Sequence, residues 1–209
     1  MEFASRNFTA GELDDIVLKL GKKEGVRRFM DDEVVLSVPR ILTYPVFKLV
    51  TLGANTKTPG GLRRLLKSAR VDLDEYANKF LRHNDFVVSQ TKVELDTVVF
   101  SANNLGIYGT PTSRSWRDLI HRAFSLGFTK CPDDLGPQLR LQYMDQPKNE
   151  RLIIVMNSFR GASWVPAYFH LVHDGEAGLQ LVGGNGNTNF CLYDEEQFVF
   201  VRPRNVLSQ

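Results

Sequence analysis

The sequence predicts an α+β fold, with an antiparallel β meander and a packed helix in the C-terminal half and a mixed helix and strand region before it. Three observations predict it. Gln138 to Met144 alternates, placing Leu139, Leu141 and Tyr143 on one face and Arg140, Gln142 and Met144 on the other. Arg151 to Met156 is a short, nearly continuous apolar run, the mark of a strand buried on both faces. Between them, Asp145-Gln-Pro-Lys-Asn-Glu150 has the chemistry of a turn, so the three read as an antiparallel hairpin.

From the N-terminus, Thr9 and Glu12 form a capping box ahead of Leu13, Ile16, Val17 and Leu20, and Gly21 closes that helix. A short helix is expected over Glu24 to Met30 and a strand over Val34 to Val38, so residues 1–45 read as a helical appendage. Residues 46–104 form a mixed α/β segment and 105–209 a C-terminal α+β domain, although 46–209 is also readable as one domain. Val46 to Leu52 is rich in β-branched and aromatic residues and reads as a strand. Thr58-Pro59 opens a helix bearing Leu62, Leu65, Leu66 and Ala69 on one stripe. A further helix is expected from Asp72 or Leu73 to Arg82, with strands over Phe86 to Gln90 and Val93 to Phe100.

In the second half, Thr112 or Ser113 opens a helix to about Leu126, its apolar side marked by Trp116, Leu119, Ile120, Ala123 and Phe124. Gly127 ends it. After the hairpin come strands over Ala167 to Val172 and Leu179 to Val182, joined at Asp174-Gly175. A Gly183-Gly-Asn-Gly-Asn187 turn follows, and Gln197 to Arg202 completes the sheet.

With 209 residues, 43% hydrophobic and 14 Phe, the chain can build a sizeable core unaided. Cys131 and Cys191 are its only cysteines, which imply no disulfide framework; reduced thiols fit a cytosolic chain. Residues 1–20 mix charges with scattered apolar positions and contain no export-signal core. The longest aliphatic run, Leu152 to Met156, is far short of the roughly 20 residues of a spanning helix. The expectation is a cytoplasmic protein without a membrane partner. Its net charge of +2 is unevenly spread: −1 over residues 1–45, +6 over 46–130 and −3 over 131–209.

A set of residues resembles a group of short bacterial proteins that carry no assigned function. They are Leu105-Gly106, Ala123, Leu126-Gly127, Cys131-Pro132, Gly136-Pro137, Leu139-Arg140-Leu141, Tyr143, Asp145-Gln146-Pro147, Glu150, Met156 and Phe198-Val199-Phe200. The N-terminal helix and its glycine are similar as well, whereas Asn157 to Trp164 departs from that group's more acidic, Gly-containing turn. The resemblance implies kinship and brings no activity with it.

His170-Leu-Val-His173 would chelate a metal only on a helix, where i and i+3 share a face. The surrounding residues read as a strand, which sends the two rings to opposite faces, and no metal site or cofactor is expected. Cys131, ahead of Pro132, Asp133 and Asp134, would be a nucleophile only if its thiolate were favoured, and two aspartates oppose that. Cys191, between Phe190 and Leu192, reads as an ordinary buried residue. The Gly183–Asn187 stretch lacks the following helix that a phosphate loop needs. Asp145, Glu150, Asp174, Glu176, Asp194, Glu195 and Glu196 all fall in or beside turns, where solvated charge is the plain explanation.

Lys57, Arg63, Arg64, Lys67 and Arg70 crowd into fourteen residues without an acid. Arg63, Lys67 and Arg70 stand at i, i+4 and i+7, beside the leucine stripe, and Arg114, Arg117 and Arg122 add charge on the later helix. Such a face would neutralise several phosphates. Asp72, Asp74 and Glu75 lie close enough in sequence to pair with it instead. The leading expectation is therefore a non-enzymatic cytoplasmic binding or interaction module, its partner anionic, such as nucleic acid, or a protein. The alternative is a small hydrolase-type enzyme using a histidine or thiol that the fold assembles, with His170 or Cys131 in a concave pocket beside a carboxylate.

Overall fold

The computed structural model describes residues 44–110, 114–157, 167–185 and 192–203. The expected helices and strand of residues 1–43, Cys191 and most of Asn157 to Trp164 lie outside them. Among the described residues, seven strands form one mixed, curled sheet in the order β1-β3-β7-β4-β5-β6-β2. In chain order the elements are β1 (Lys48–Leu52), α1 (Pro59–Ser68), β2 (Asp72–Leu73), α2 (Glu75–Phe80) and β3 (Val93–Phe100). Then follow α3 (Trp116–Ser125), α4 (Leu135–Gln142), β4 (Arg151–Val155), β5 (Ala167–Asp174), β6 (Gly178–Asn185) and β7 (Gln197–Arg202). The α+β class holds.

The antiparallel meander is met only over β4, β5 and β6, which are consecutive antiparallel neighbours, and the sheet as a whole is mixed. β5 and β6 pair antiparallel through an Asp174–Gly178 turn, but β4 runs parallel to β7 and β2 runs parallel to β6. β7 also pairs antiparallel with β3, and β3 with β1, so both halves of the described chain share one sheet.

The expected hairpin is also corrected, because Gln138 to Met144 is not a strand. Leu135 to Gln142 is the helix α4, with Leu135 and Leu139 one turn apart and fully buried. The alternation misled because Arg140 faces the interior instead of water: it is 0% exposed and donates to Gln146 Oε1 and the Tyr143 carbonyl. Burial pulls its guanidinium down to about 10. Gly136 lets the helix start close on the sheet, since a Cβ there would lie 2.8 Å from the Phe169 ring. Phe86 to Gln90 is likewise not a strand. The amides of Val87 and Ser89 donate to Asp133 (3.1 Å) and Asp134 (2.9 Å), so side chains take the place of a neighbouring strand.

Asp72–Leu73, expected at a helix start, is the two-residue edge strand β2, and Asp74 caps the shorter helix α2 through the Ala77 amide at 2.7 Å. Gly183, Gly184 and Asn185, expected in a turn, continue β6. Close approach explains these glycines: a Cβ on Gly183 would lie 2.5 Å from the Ala77 amide nitrogen, and one on Gly184 would lie 2.1 Å from the Tyr168 ring. Asn187 is outside the described residues. Helix α3 begins at Trp116, later than expected, because Ser115 and Asp118 close a capping box.

Two cores line the two faces of the sheet. Leu152 and Ile154 of β4 join Leu62, Leu66, Leu135, Leu139 and Phe169 on one side. Ile153 and Val155 join Trp116, Leu119, Ala123, Phe198 and Phe200 on the other. The apolar run of β4 is thus explained, since consecutive residues serve opposite cores.

Candidate functional site

Helix α1 presents the basic face predicted from sequence. Thr58 caps it, its hydroxyl accepting the Gly61 amide at 3.1 Å, and Leu62 and Leu66 anchor it in the core. That anchoring turns Arg64 and Lys67 to solvent, with Lys57 exposed just ahead and Arg63 half-buried. Among the described residues, none of the five cations forms an ion pair. The nearby acids are engaged elsewhere or stand apart: Asp74 also accepts the Gly183 amide at 2.9 Å, and Glu75 pairs with Lys79 at 2.7 Å.

Arg70 does not continue the helical stripe. The helix ends at Ser68, and Arg70 follows in the left-handed region with φ of 57°. Its amide donates to the Lys67 carbonyl, and the Val71 amide donates to the Leu66 carbonyl, both at 3.0 Å. This pair of bonds is a Schellman closure, whose left-handed position is usually glycine. An arginine there costs roughly 1 kcal/mol in backbone strain.

The other expected cations lie elsewhere. Helix α3 packs on the opposite core from α1. There Arg114 is buried, pairs with Asp194 at 2.5 Å and donates to the Gly109 carbonyl. Arg122 donates from Nε to the Leu105 carbonyl at 2.8 Å. Both hold loops; Arg114 is buried, whereas Arg117 and Arg122 are exposed.

The residues considered for catalysis separate as well. Cys131 is 1% exposed, its amide donates to the Val155 carbonyl at 2.7 Å, and burial pushes its thiol far above the usual range. That overturns a thiolate nucleophile at this position. His170 and His173 sit on a strand, three residues apart and so on opposite faces. His173 Nδ1 contacts the Gln146 carbonyl. His170 Nε2 has no hydrogen-bond partner among the described residues, and the ring lines a cavity together with Glu195 and Glu196. Among the described residues no group of three or more His, Cys, Asp or Glu side chains is placed to hold a metal ion.

The turn carboxylates have structural duties. Asp145 pairs with Lys48 at 3.4 Å, and Asp174 accepts the Glu176 and Ala177 amides, each at 2.9 Å. Among the described residues no helix is long and apolar enough to cross a membrane. In comparisons with protein-family models, curated proteins and solved structures, no match to the chain was found.

Proposed function

We propose that this chain is a non-enzymatic binding module that engages an anionic partner, a nucleic acid being the fitting class, through α1 and its flanks. One observation carries the reading: Lys57, Arg64, Lys67 and Arg70 are exposed and unpaired among the described residues, on an element whose other side is locked into the core. Cations arranged in this way bind phosphates by releasing counterions, so affinity falls steeply with salt. Arg70 supports the same reading, because a charged residue occupies a strained position that glycine would fill more cheaply.

The test is fluorescence anisotropy with a short single-stranded oligonucleotide at low and moderate salt. Arg64→Glu with Lys67→Glu is the informative variant, since both residues are exposed and their reversal leaves the core intact. Binding should weaken uniformly across sequences and the logarithmic salt slope should fall by about 1 for each phosphate no longer neutralised, with the melting temperature unchanged. Binding that ignores both salt and the reversals rejects the proposal.

A further inference from the structure

Away from α1, on the α3 side of the sheet, a cavity of about 230 Å³ lies at the end of β4. Arg151, Ile153, His170, Tyr193, Glu195 and Glu196 line it. The strand pairing explains how they meet. Ile153 faces His170 across the β4–β5 ladder and Phe198 across the parallel β4–β7 ladder. Two residues earlier come Arg151 on β4 and Glu196 just ahead of β7. The cavity therefore has an aliphatic floor, an imidazole on one side, carboxylates on the other, and a guanidinium at its end.

Two features ask for a ligand. The His170 Nε2 is buried and has no hydrogen-bond partner among the described residues, although buried polar atoms are nearly always paired. Glu196 is half-buried, and burial raises its carboxyl above the ordinary range. Among the described residues that carboxylate accepts a hydrogen bond from the Tyr193 amide, at 3.0 Å.

We propose that this cleft binds a small zwitterion of the α-amino-acid class, with Arg151 meeting its carboxylate, Glu195 and Glu196 its ammonium, and His170 a polar group of its side chain. The mixed charge selects this class. Two carboxylates against one arginine disfavour a phosphate or nucleic acid, and the arginine disfavours a simple amine. Ile153 and the half-exposed Tyr193 ring supply apolar contact for the ligand's carbon skeleton. The volume is below the roughly 300–1,000 Å³ of pockets for drug-sized ligands, so the occupant must be small.

The experiment titrates the full chain with each common L-amino acid in turn, at millimolar concentration, by thermal shift and then calorimetry. At least one should raise the melting temperature. Its N-acetyl and α-carboxamide derivatives should each fail to bind, and Arg151→Ala and Glu196→Gln should each weaken it about tenfold, as expected for one missing charge-assisted bond. Arg151 is exposed, so its variant leaves the fold intact and weakened binding there reports the site. Arg64→Glu with Lys67→Glu should leave amino-acid binding unchanged, which separates this site from the α1 face. If no amino acid shifts the wild-type chain, or if both capped derivatives still bind, the proposal is overturned.

Discussion

The side-chain amide of Gln142 pairs with the backbone of Thr51 in both directions. Its Nε2 donates to the Thr51 carbonyl at 2.8 Å and its Oε1 accepts the Thr51 amide at 2.9 Å. Among the described strands β1 is an outer one, and the amide at the end of α4 stands where a next strand's peptide would be. It protects part of an edge that would otherwise invite pairing with another chain.

Gln142→Ala removes both bonds and should destabilise the chain by about 1–3 kcal/mol, the cost of leaving two part-buried groups unsatisfied. Urea unfolding measures the loss. Gln142→Glu retains an acceptor but sets a carboxylate against the Thr51 carbonyl, so at neutral pH it should be no more stable than the alanine variant.

Arg70→Gly should do the opposite. Glycine adopts φ of 57° without strain, so the variant should gain about 1 kcal/mol in chemical denaturation. The same change should reduce the salt slope for oligonucleotide binding. A gain in stability with undiminished binding would remove Arg70 from the anionic interface.

Burial, reinforced by Arg151 and opposed by Asp74, holds the His170 imidazole down at about 4 against an ordinary 6.5. Between those values the unfolded chain binds a proton that the folded chain refuses, so stability rises with pH across the window and is lost as pH falls through it. The contribution is at most about 3 kcal/mol, at about 1.36 kcal/mol for each pH unit between the two values. Unfolding at about pH 7 and about pH 4.5 should show the wild type losing more stability than His170→Gln. Equal losses would mean that the ring is solvated.

Gly183→Ala tests the seating of α2 on β6. The added methyl meets the backbone of Ala77 and Tyr76, which cannot swing aside as a side-chain tip can, so a loss of about 1–3 kcal/mol is expected from thermal unfolding. A broken Gly183–Asp74 hydrogen bond would appear as faster amide exchange at residue 183.

Elements whose side chains obey their ordinary preferences were legible in the sequence. Val93–Phe100 and Gln197–Arg202 alternate or run apolar and are strands to the residue, and Thr58-Pro59 does open a helix. Misreadings cluster where polar side chains work inside the protein. Arg140 and Gln142 looked solvent-facing because their partners, Gln146, Tyr143 and Thr51, are supplied only by the folded chain. Phe86 to Gln90 looked like a strand because its pattern suits one, yet Asp133 and Asp134 claim its amides. The basic face was visible as composition; hidden were the αL position of Arg70 and the loop contacts that occupy Arg114 and Arg122. Of the His170 cleft, the sequence offered only the alternative of His170 in a pocket beside a carboxylate; its other members were hidden, because Arg151 and Glu196 become neighbours only through the parallel pairing of β4 with β7.

That parallel pairing has a consequence during synthesis. β7 is the last of the described strands to be made, yet it lies between β3 and β4 and is the strand that joins the β1–β3 pair to β4, β5, β6 and β2. Until it leaves the ribosome, the nascent chain carries two fragments with bare, valine- and isoleucine-rich edges at β3 and β4. A chain stalled before Gln197 would therefore need a chaperone to shield those edges, a need that ends once β7 slots between them.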